Sequence, residues 1–251
     1  MRAGRVAGVV ILAGLLLLGS VAGGARPAAG VGAMDVHAPG KADAVLWEQG
    51  QQGLAGVAST YHTNRSQGLY AADDFVVESA VWDLAVIFVD GWVPDGSLEG
   101  DATALTWYLY PDDGGVPAGH PGDGTELWKY VTTPDDPAVT LVNYAPQLDL
   151  VAATGAPLPL RPGAYWLVFF PSMEVTNPDE SDRFNWHIGA TVNAGWCAEY
   201  DDGISGGFPW TDAASLFGQP TWHDLAFRLE GTARPLSVLY LPVALSLPPG
   251  R

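Results

Sequence analysis

The chain has few cysteines and few basic residues. Its 251 residues include one cysteine, Cys197, and 11 Lys and Arg against 28 Asp and Glu, which gives a formal net charge of −17. One cysteine cannot form an internal disulfide, so the fold must be held by an apolar core. Between Trp196 and Ala198, Cys197 is expected to be a small buried hydrophobe rather than a nucleophile. The acidic balance excludes nucleic acid as an expected partner, because its binding relies on Lys and Arg.

Sequence patterns of common enzymes are also missing. The five histidines form no zinc-binding spacing, and the sequence has no Gly-x-Ser-x-Gly elbow, phosphate loop or dinucleotide fingerprint. Carboxylates are so numerous that no single pair indicates a glycosidase. We therefore expect a protein that is not an enzyme. The alternative is an extracellular hydrolase of glycans or esters, whose catalytic groups would come together from separate loops.

The N-terminus predicts export. Residues 1–25 carry arginines at positions 2 and 5 and continue with an apolar stretch at 6–19. They then offer small-residue cleavage sites ending at Ala22 and Ala25. The stretch is shorter than the ~20 residues of a spanning helix, so a cleaved signal peptide is favoured over an uncleaved anchor. We expect no transmembrane span in the mature chain, and a location outside the cell or at its surface. Residues 26–43, rich in Ala, Gly and Pro, predict a flexible leader.

From residue 44 onward, short apolar runs alternate with turn sequences. The runs favour Val, Trp, Tyr, Phe, Leu and Thr, as strands do, and turns such as Pro-Asp-Asp-Gly-Gly (111–115) separate them. No stretch shows a sustained helical period. The pattern predicts an all-β, antiparallel β-sandwich over residues 44–231. The predicted strands are Ala44–Glu48, Asp74–Val77, Val81–Val89, Ala104–Tyr110, Glu126–Val131, Val139–Asn143, Ala164–Phe170, Phe184–Ile188, Gly195–Tyr200 and Leu225–Leu229.

Two of these strands have informative patterns. Val81–Val89 is apolar on both faces, which predicts a central position in its sheet. Ala104–Tyr110 alternates instead, with Leu105, Trp107 and Leu109 on one face and Thr and Tyr on the other.

The C-terminus has a different composition. Residues 232–251 form an apolar, Pro-rich tail whose apolar part is interrupted by Pro242. It is too short to span a bilayer. It is either a last edge strand or a cell-envelope sorting tail, and the sequence leaves both open.

Several segments together resemble a known group of domains. They read ADDFVV (72–77), VWDLAVIFVDGW (81–92), WYLYPDDGGVPAG (107–119), LRPGAYWLVF (160–169) and WHDLAFRLEG (222–231). In this order they resemble secreted bacterial β-sandwich domains of jelly-roll type. The tail segment LYLPVAL is similar to the YLPLV-type ending of exported proteins from filamentous environmental bacteria.

The resemblance implies a fold and a broad role. Domains of this group are jelly-roll-like sandwiches, and many are accessory modules beside peptidases or carbohydrate-active domains. We expect no such partner domain in the present chain. The implied role is a binding or cell-surface structural protein, with an extracellular glycan or an envelope component as its partner.

The resemblance also implies a calcium site. Jelly-roll binding domains often join their first and last strands through a calcium ion, which points to Asp73 or Asp74 together with Asp224. Carboxylates are suitable calcium ligands. Ordinary turn and surface acids are the alternative interpretation of these residues.

Tryptophans supply the candidate ligand-binding residues. Trp92, Trp196 and Trp210 stand beside Gly or Pro in predicted loops, where rigid scaffolds carry function, and are the candidates for stacking on a sugar. The other tryptophans considered are expected in the core, because large aromatic rings fill the inner faces of a sandwich. These are Trp82, Trp107, Trp128, Trp166, Trp186 and Trp222.

Overall fold

The computed structural model describes residues 44–142, 144–177, 180–190 and 195–236. The predicted signal peptide, the leader and most of the C-terminal tail lie outside these residues. In the described part, no helix is both long enough and apolar enough to cross a membrane. The strands are β1 (Ala44–Gln49), β2 (Gln51–Ala58), β3 (Thr60–His62), β4 (Gln67–Val77), β5 (Ala80–Val89), β6 (Gly91–Trp92), β7 (Ala102–Pro111), β8 (Trp128–Thr132), β9 (Val139–Val142), β10 (Ala145–Asp149), β11 (Leu158–Leu160), β12 (Gly163–Met173), β13 (Asn185–Gly189), β14 (Ala198–Asp201), β15 (Phe208–Asp212) and β16 (Phe227–Pro235).

Three short helices lie between strands. They are α1 (Leu98–Asp101), α2 (Leu150–Thr154) and α3 (Ala213–Phe217). Each begins at a residue whose side chain accepts a backbone N–H, and α2 and α3 end at a glycine in the left-handed conformation. They are too short to appear as a helical period in the sequence, which explains why none was predicted.

The strands form two large sheets and one small one. One large sheet has the order β1-β16-β5-β10-β9, with β11 also on β5, and the other has the order β15-β14-β4-β3-β12-β7-β8. The small sheet has the order β2-β13-β6. The pairing of β3 with β12 is parallel, and the other strand pairings are antiparallel. The predicted all-β, antiparallel sandwich is confirmed.

One apolar core joins the two large sheets. Phe75 of β4 lies 6.3 Å from Phe227 of β16, ring centroid to centroid, so side chains of the two sheets pack directly on each other. Of the six tryptophans predicted in the core, Trp82, Trp107, Trp166 and Trp186 are buried, whereas Trp128 and Trp222 are only half-buried against it. Cys197 is a free, fully buried thiol.

The predicted strands at residues 81–89 and 104–110 have the positions that their sequence patterns indicate. The predicted strand at residues 81–89 falls within β5, which lies between β16 and β10 and is central in its sheet. In β7, Leu105, Trp107 and Leu109 face the core between the sheets. Tyr108 and Tyr110 face the other way and are also buried. Both faces of the seven-stranded sheet are therefore covered.

A loop covers the outer face of the seven-stranded sheet. This covering loop (residues 112–127) connects β7 to β8, and three contacts fasten it. The indole N–H of Trp210 donates to the carbonyl of Gly119 at 2.6 Å, and that of Trp166 donates to a carboxylate oxygen of Asp112 at 2.8 Å. The His120 ring stacks on Tyr200 with centroids 4.8 Å apart. An aromatic layer is thereby enclosed between loop and sheet.

The domain extends slightly beyond its predicted end. Strand β16 continues to Pro235, so residues 232–235 pair with β5 instead of belonging to a separate tail. These residues continue β16, which lies between β1 and β5 in its sheet, rather than forming a separate edge strand. The rest of the predicted tail lies outside the described residues.

Candidate functional site

Three aspartates come together at one end of the seven-stranded sheet. Asp73, Asp74 and Asp224 each offer a carboxylate oxygen, and these atoms lie within 4.8 Å of one another. Two oxygens bound to one Ca²⁺ at 2.3–2.6 Å are at most about 5 Å apart. The spacing of the three carboxylates therefore fits a single cation.

The hydrogen bonds of this cluster leave oxygens free. Asp73 is satisfied, because its carboxylate accepts the backbone N–H of Leu225 at 2.6 Å and that of Asp74 at 2.9 Å. Both carboxylate oxygens of Asp224 and Oδ1 of Asp74 are buried, and no group in the described part of the chain forms a hydrogen bond with them. Asp224 is only 1% exposed. A buried anion without a partner is costly, so these oxygens require either a cation or a proton.

The pKa values of the three carboxyls show the same cost of burying negative charge. Burial, and next the charge of Asp224, raise the pKa of Asp73 well above its ordinary value and that of Asp74 to about 6. Burial also raises the pKa of Asp224 to about 6, against smaller opposite effects of His223 and Gln49. The Gln49 amide nevertheless lacks a hydrogen bond of ordinary geometry. Without a cation, Asp74 and Asp224 therefore keep their protons to a higher pH than ordinary aspartates do.

The aspartates meet by a different route from the one expected. They were predicted to converge because the first and last strands of a jelly roll lie side by side. Asp73 and Asp74 lie on β4 of the seven-stranded sheet, whereas β16, which follows Asp224, belongs to the other sheet. The link is the segment before β16: Leu225 forms an isolated bridge with Ile188 and donates its N–H to Asp73. The cluster therefore joins the two sheets at their end.

Metal-free protein is expected to lose stability as the pH rises from about 4 to 6. A carboxyl whose folded-state pKa is raised binds more protons in the folded than in the unfolded chain between the two pKa values, so stability falls as pH rises through that window. For Asp74 and Asp224 the window runs from about 4 to 6. Thermal unfolding in a chelator measures it, with Asp224→Asn as the comparison. Equal slopes in the two proteins would contradict the assignment.

The three candidate tryptophans do not form one site. Trp196 and Trp210 are half-buried and pack against the aromatic layer under the covering loop. Trp92 lies on β6 in the small sheet, where its ring stacks on His187 with centroids 4.3 Å apart. The Trp210 indole N–H is already engaged with Gly119. The structure therefore does not bring the three rings into one platform, and a role for any of them in ligand binding stays a prediction.

A cleft opens between the covering loop and the sheet. This aromatic cleft has a volume of about 400 Å³, within the usual range for small-ligand sites. Its floor carries Tyr70, Tyr108 and Phe170, with Tyr61 at the side and Pro121 of the covering loop opposite. The Tyr108 and Phe170 rings are near-parallel, at 19°, with centroids 5.9 Å apart. Sequence reasoning missed all of these residues as site candidates.

Polar groups line the rim of the cleft. Lys129 and Asp202 are exposed on the rim, and Thr106 and Ser172 contribute hydroxyls. The Lys129 ammonium lies 5.0 Å from the centroid of the Tyr108 ring, a cation–π contact that holds this side chain beside the opening. The cleft therefore combines aromatic surface with hydrogen-bonding groups of both kinds.

Comparison with known proteins identifies no family. No protein-family model matches the chain, and no curated protein matches it at a significant level.

Proposed function

We propose that this chain is an exported, non-catalytic binding protein whose aromatic cleft holds a neutral glycan. The observation that carries the proposal is the cleft itself, with aromatic rings on its floor and side and Lys129 and Asp202 on its rim. A sugar ring presents C–H groups on its faces and hydroxyls at its edge. A sugar face would lie against the half-buried ring of Tyr61, because the floor rings of Tyr70, Tyr108 and Phe170 are almost fully buried, and the hydroxyls suit the polar rim.

The charge of the chain supports a neutral ligand. A net charge of −17 repels polymers of uronic acids or sulfated sugars at long range. One rim lysine does not offset this. A cell-surface structural role without a ligand is the other form of the proposal, and it predicts no saturable glycan binding.

Tyr61→Ala is expected to weaken glycan binding at least tenfold. Tyr61 is half-buried at the side of the cleft, so the substitution removes a ring that the ligand contacts without opening the core. A glycan array selects the ligand, and calorimetry with cellohexaose, xylohexaose, laminarihexaose and chitohexaose measures the affinity. Tyr144→Ala is the matched control, since Tyr144 is 71% exposed and does not line the cleft.

Two outcomes would overturn this proposal. One is an affinity that Tyr61→Ala and Tyr144→Ala change equally. The other is release of new reducing ends from a bound glycan, which would favour the hydrolase alternative.

The aspartate cluster supports a second proposal, that it binds a divalent cation, most suitably Ca²⁺. The specific observation is that both Asp224 oxygens are buried without a partner among the described residues, and that one of them lies within 4.8 Å of an oxygen of Asp73 and an oxygen of Asp74. A bound cation would offset the mutual repulsion of the carboxylates and join the two sheets. Water and backbone carbonyls would complete the coordination, since Ca²⁺ takes six to eight oxygens.

A further inference from the structure

A second cavity contains a buried glutamate. Glu199 lies on β14, directly opposite Ala71 of β4. Residues directly opposite in an antiparallel pair point to the same face, and Ala71 belongs to the core between the large sheets. The Glu199 side chain therefore points to the inner side of its sheet, and the residue is only 2% exposed.

The Glu199 carboxyl has no partner in the described residues. No hydrogen bond and no ion pair in this part of the chain reaches it. Burial, opposed by the charge of Arg183 and reinforced by that of Asp201, raises the pKa of Glu199 to about 8. A buried carboxyl without a partner is costly to ionise. The group is therefore mainly protonated at pH 7 and available to a charged partner.

The cavity beside Glu199 is small and mostly apolar. Its volume is about 230 Å³, and its apolar walls come from β4, β15 and α3. Leu216 and Phe217, at the end of α3, are 38% and 42% exposed, which places an apolar surface at the opening. Arg183 also lines the cavity, but its guanidinium already forms a salt bridge with Glu180.

We infer that this cavity binds a small ligand that carries a protonated amine on an apolar body. The ammonium would pair with Glu199, and the apolar body would lie against Phe208 and Phe217. Charge complementarity favours a cation, because Glu180 offsets the charge of Arg183 and the chain is strongly acidic. The inference rests on residues separate from the aromatic cleft and from the aspartate cluster.

The pairing has a consequence that calorimetry detects. An ammonium beside Glu199 favours the ionised carboxylate, so binding at pH 7 releases about one proton per site. The binding heat then depends on the ionisation enthalpy of the buffer. Affinity rises as the pH increases from 6.5 to 8.5, because ionising Glu199 beforehand removes that cost.

The test uses 2-phenylethylamine as the probe and 2-phenylethanol as its neutral counterpart. Titration of the full chain should give saturable binding of the amine with proton release, and at least tenfold weaker binding of the alcohol. Glu199→Gln should weaken amine binding at least tenfold and abolish proton release. Glu174→Gln, at an exposed position, is the matched control and should leave both unchanged.

Any one of three results would overturn the inference. These are the absence of a saturable heat of binding with millimolar 2-phenylethylamine, equal affinity for the amine and the alcohol, and amine binding that Glu199→Gln leaves unchanged. Loss of binding counts in its favour only if Glu199→Gln keeps the melting temperature of the parent, as we expect because the substitution replaces a protonated carboxyl with an amide of similar shape. Phe217→Ala tests the apolar wall of the cavity independently and should weaken the binding of 2-phenylethylamine several-fold.

Discussion

Replacing Trp166 with alanine is expected to lower the free energy of unfolding by about 3–5 kcal/mol. The side chain is 1% exposed, its indole N–H donates to Asp112 at 2.8 Å, and its ring meets Trp196 edge-on at 5.8 Å. Alanine would leave a large cavity under the covering loop and remove one of the contacts that fasten it. For a domain of this size, the loss corresponds to a fall in melting temperature of roughly 6–20 °C.

Two further variants separate the loss of the hydrogen bond from the loss of the buried ring. Trp166→Phe keeps most of the ring but removes the donor to Asp112, so it should cost about 1–2 kcal/mol. Trp128→Ala, at a half-buried tryptophan on edge strand β8, should cost less than half as much as Trp166→Ala. A melting temperature of Trp166→Ala within a degree or two of the parent would contradict the burial of this ring.

Calcium is expected to raise the melting temperature by several degrees. A ligand that binds only the folded state stabilises it by about 2.7 kcal/mol at a hundredfold excess over Kd. The buried Asp224 oxygens, which have no hydrogen-bond partner among the residues that the structure describes, are the groups that gain most from the ion. Thermal unfolding in millimolar CaCl₂ and in chelator, both at pH 7.5, measures the difference.

Asp224→Asn should abolish the calcium effect. The amide keeps the shape of the side chain but removes its charge, and with it the main attraction for the ion. Asp113→Asn is the control, because Asp113 is an exposed acid of the covering loop and lies outside the cluster. No thermal shift and no heat of binding with the parent chain would count decisively against the cation site.

The sequence predicted the sandwich well because its strands carry strong local signals. The sequence of β5 is mostly apolar on both faces, and that of β7 alternates between two faces. The structure confirms the central position of β5 and the inward-facing Leu and Trp side chains of β7. The strands that were missed are β2, β3, β6, β10, β11 and β15. Of these, β2 and β3 lie in the segment from Gln51 to His62, which is rich in Gly, Ala and polar residues. Tertiary pairing with β13, β4 and β12 holds these two strands in place.

The candidate sites were harder to predict because they depend on contacts between distant segments. The convergence of Asp73, Asp74 and Asp224 was expected from the order of strands, yet the structure achieves it through the Leu225–Ile188 bridge. No local pattern specifies such a bridge. Trp92 looked equivalent to the other loop tryptophans and lies instead in a separate small sheet.

The burial of Glu199 could have been predicted from the sequence. In the segment from Cys197 to Asp201, alternation places Glu199 on the same face as Cys197. A buried cysteine on that face would have indicated that Glu199 is buried as well. The aromatic cleft gave no such signal, because its rings come from β3, β4, β7 and β12 and meet only after the sheet has formed.

The most direct test of the proposed function is to locate the bound glycan on the protein. Amide chemical shifts of isotope-labelled protein, titrated with the oligosaccharide that binds most tightly in the panel, report which residues change environment. We predict saturable shifts concentrated at Tyr61, Gly122, Lys129 and Asp202, the cleft and its rim. Shifts concentrated around Trp92, or no saturable shifts with any neutral glycan, would contradict the account.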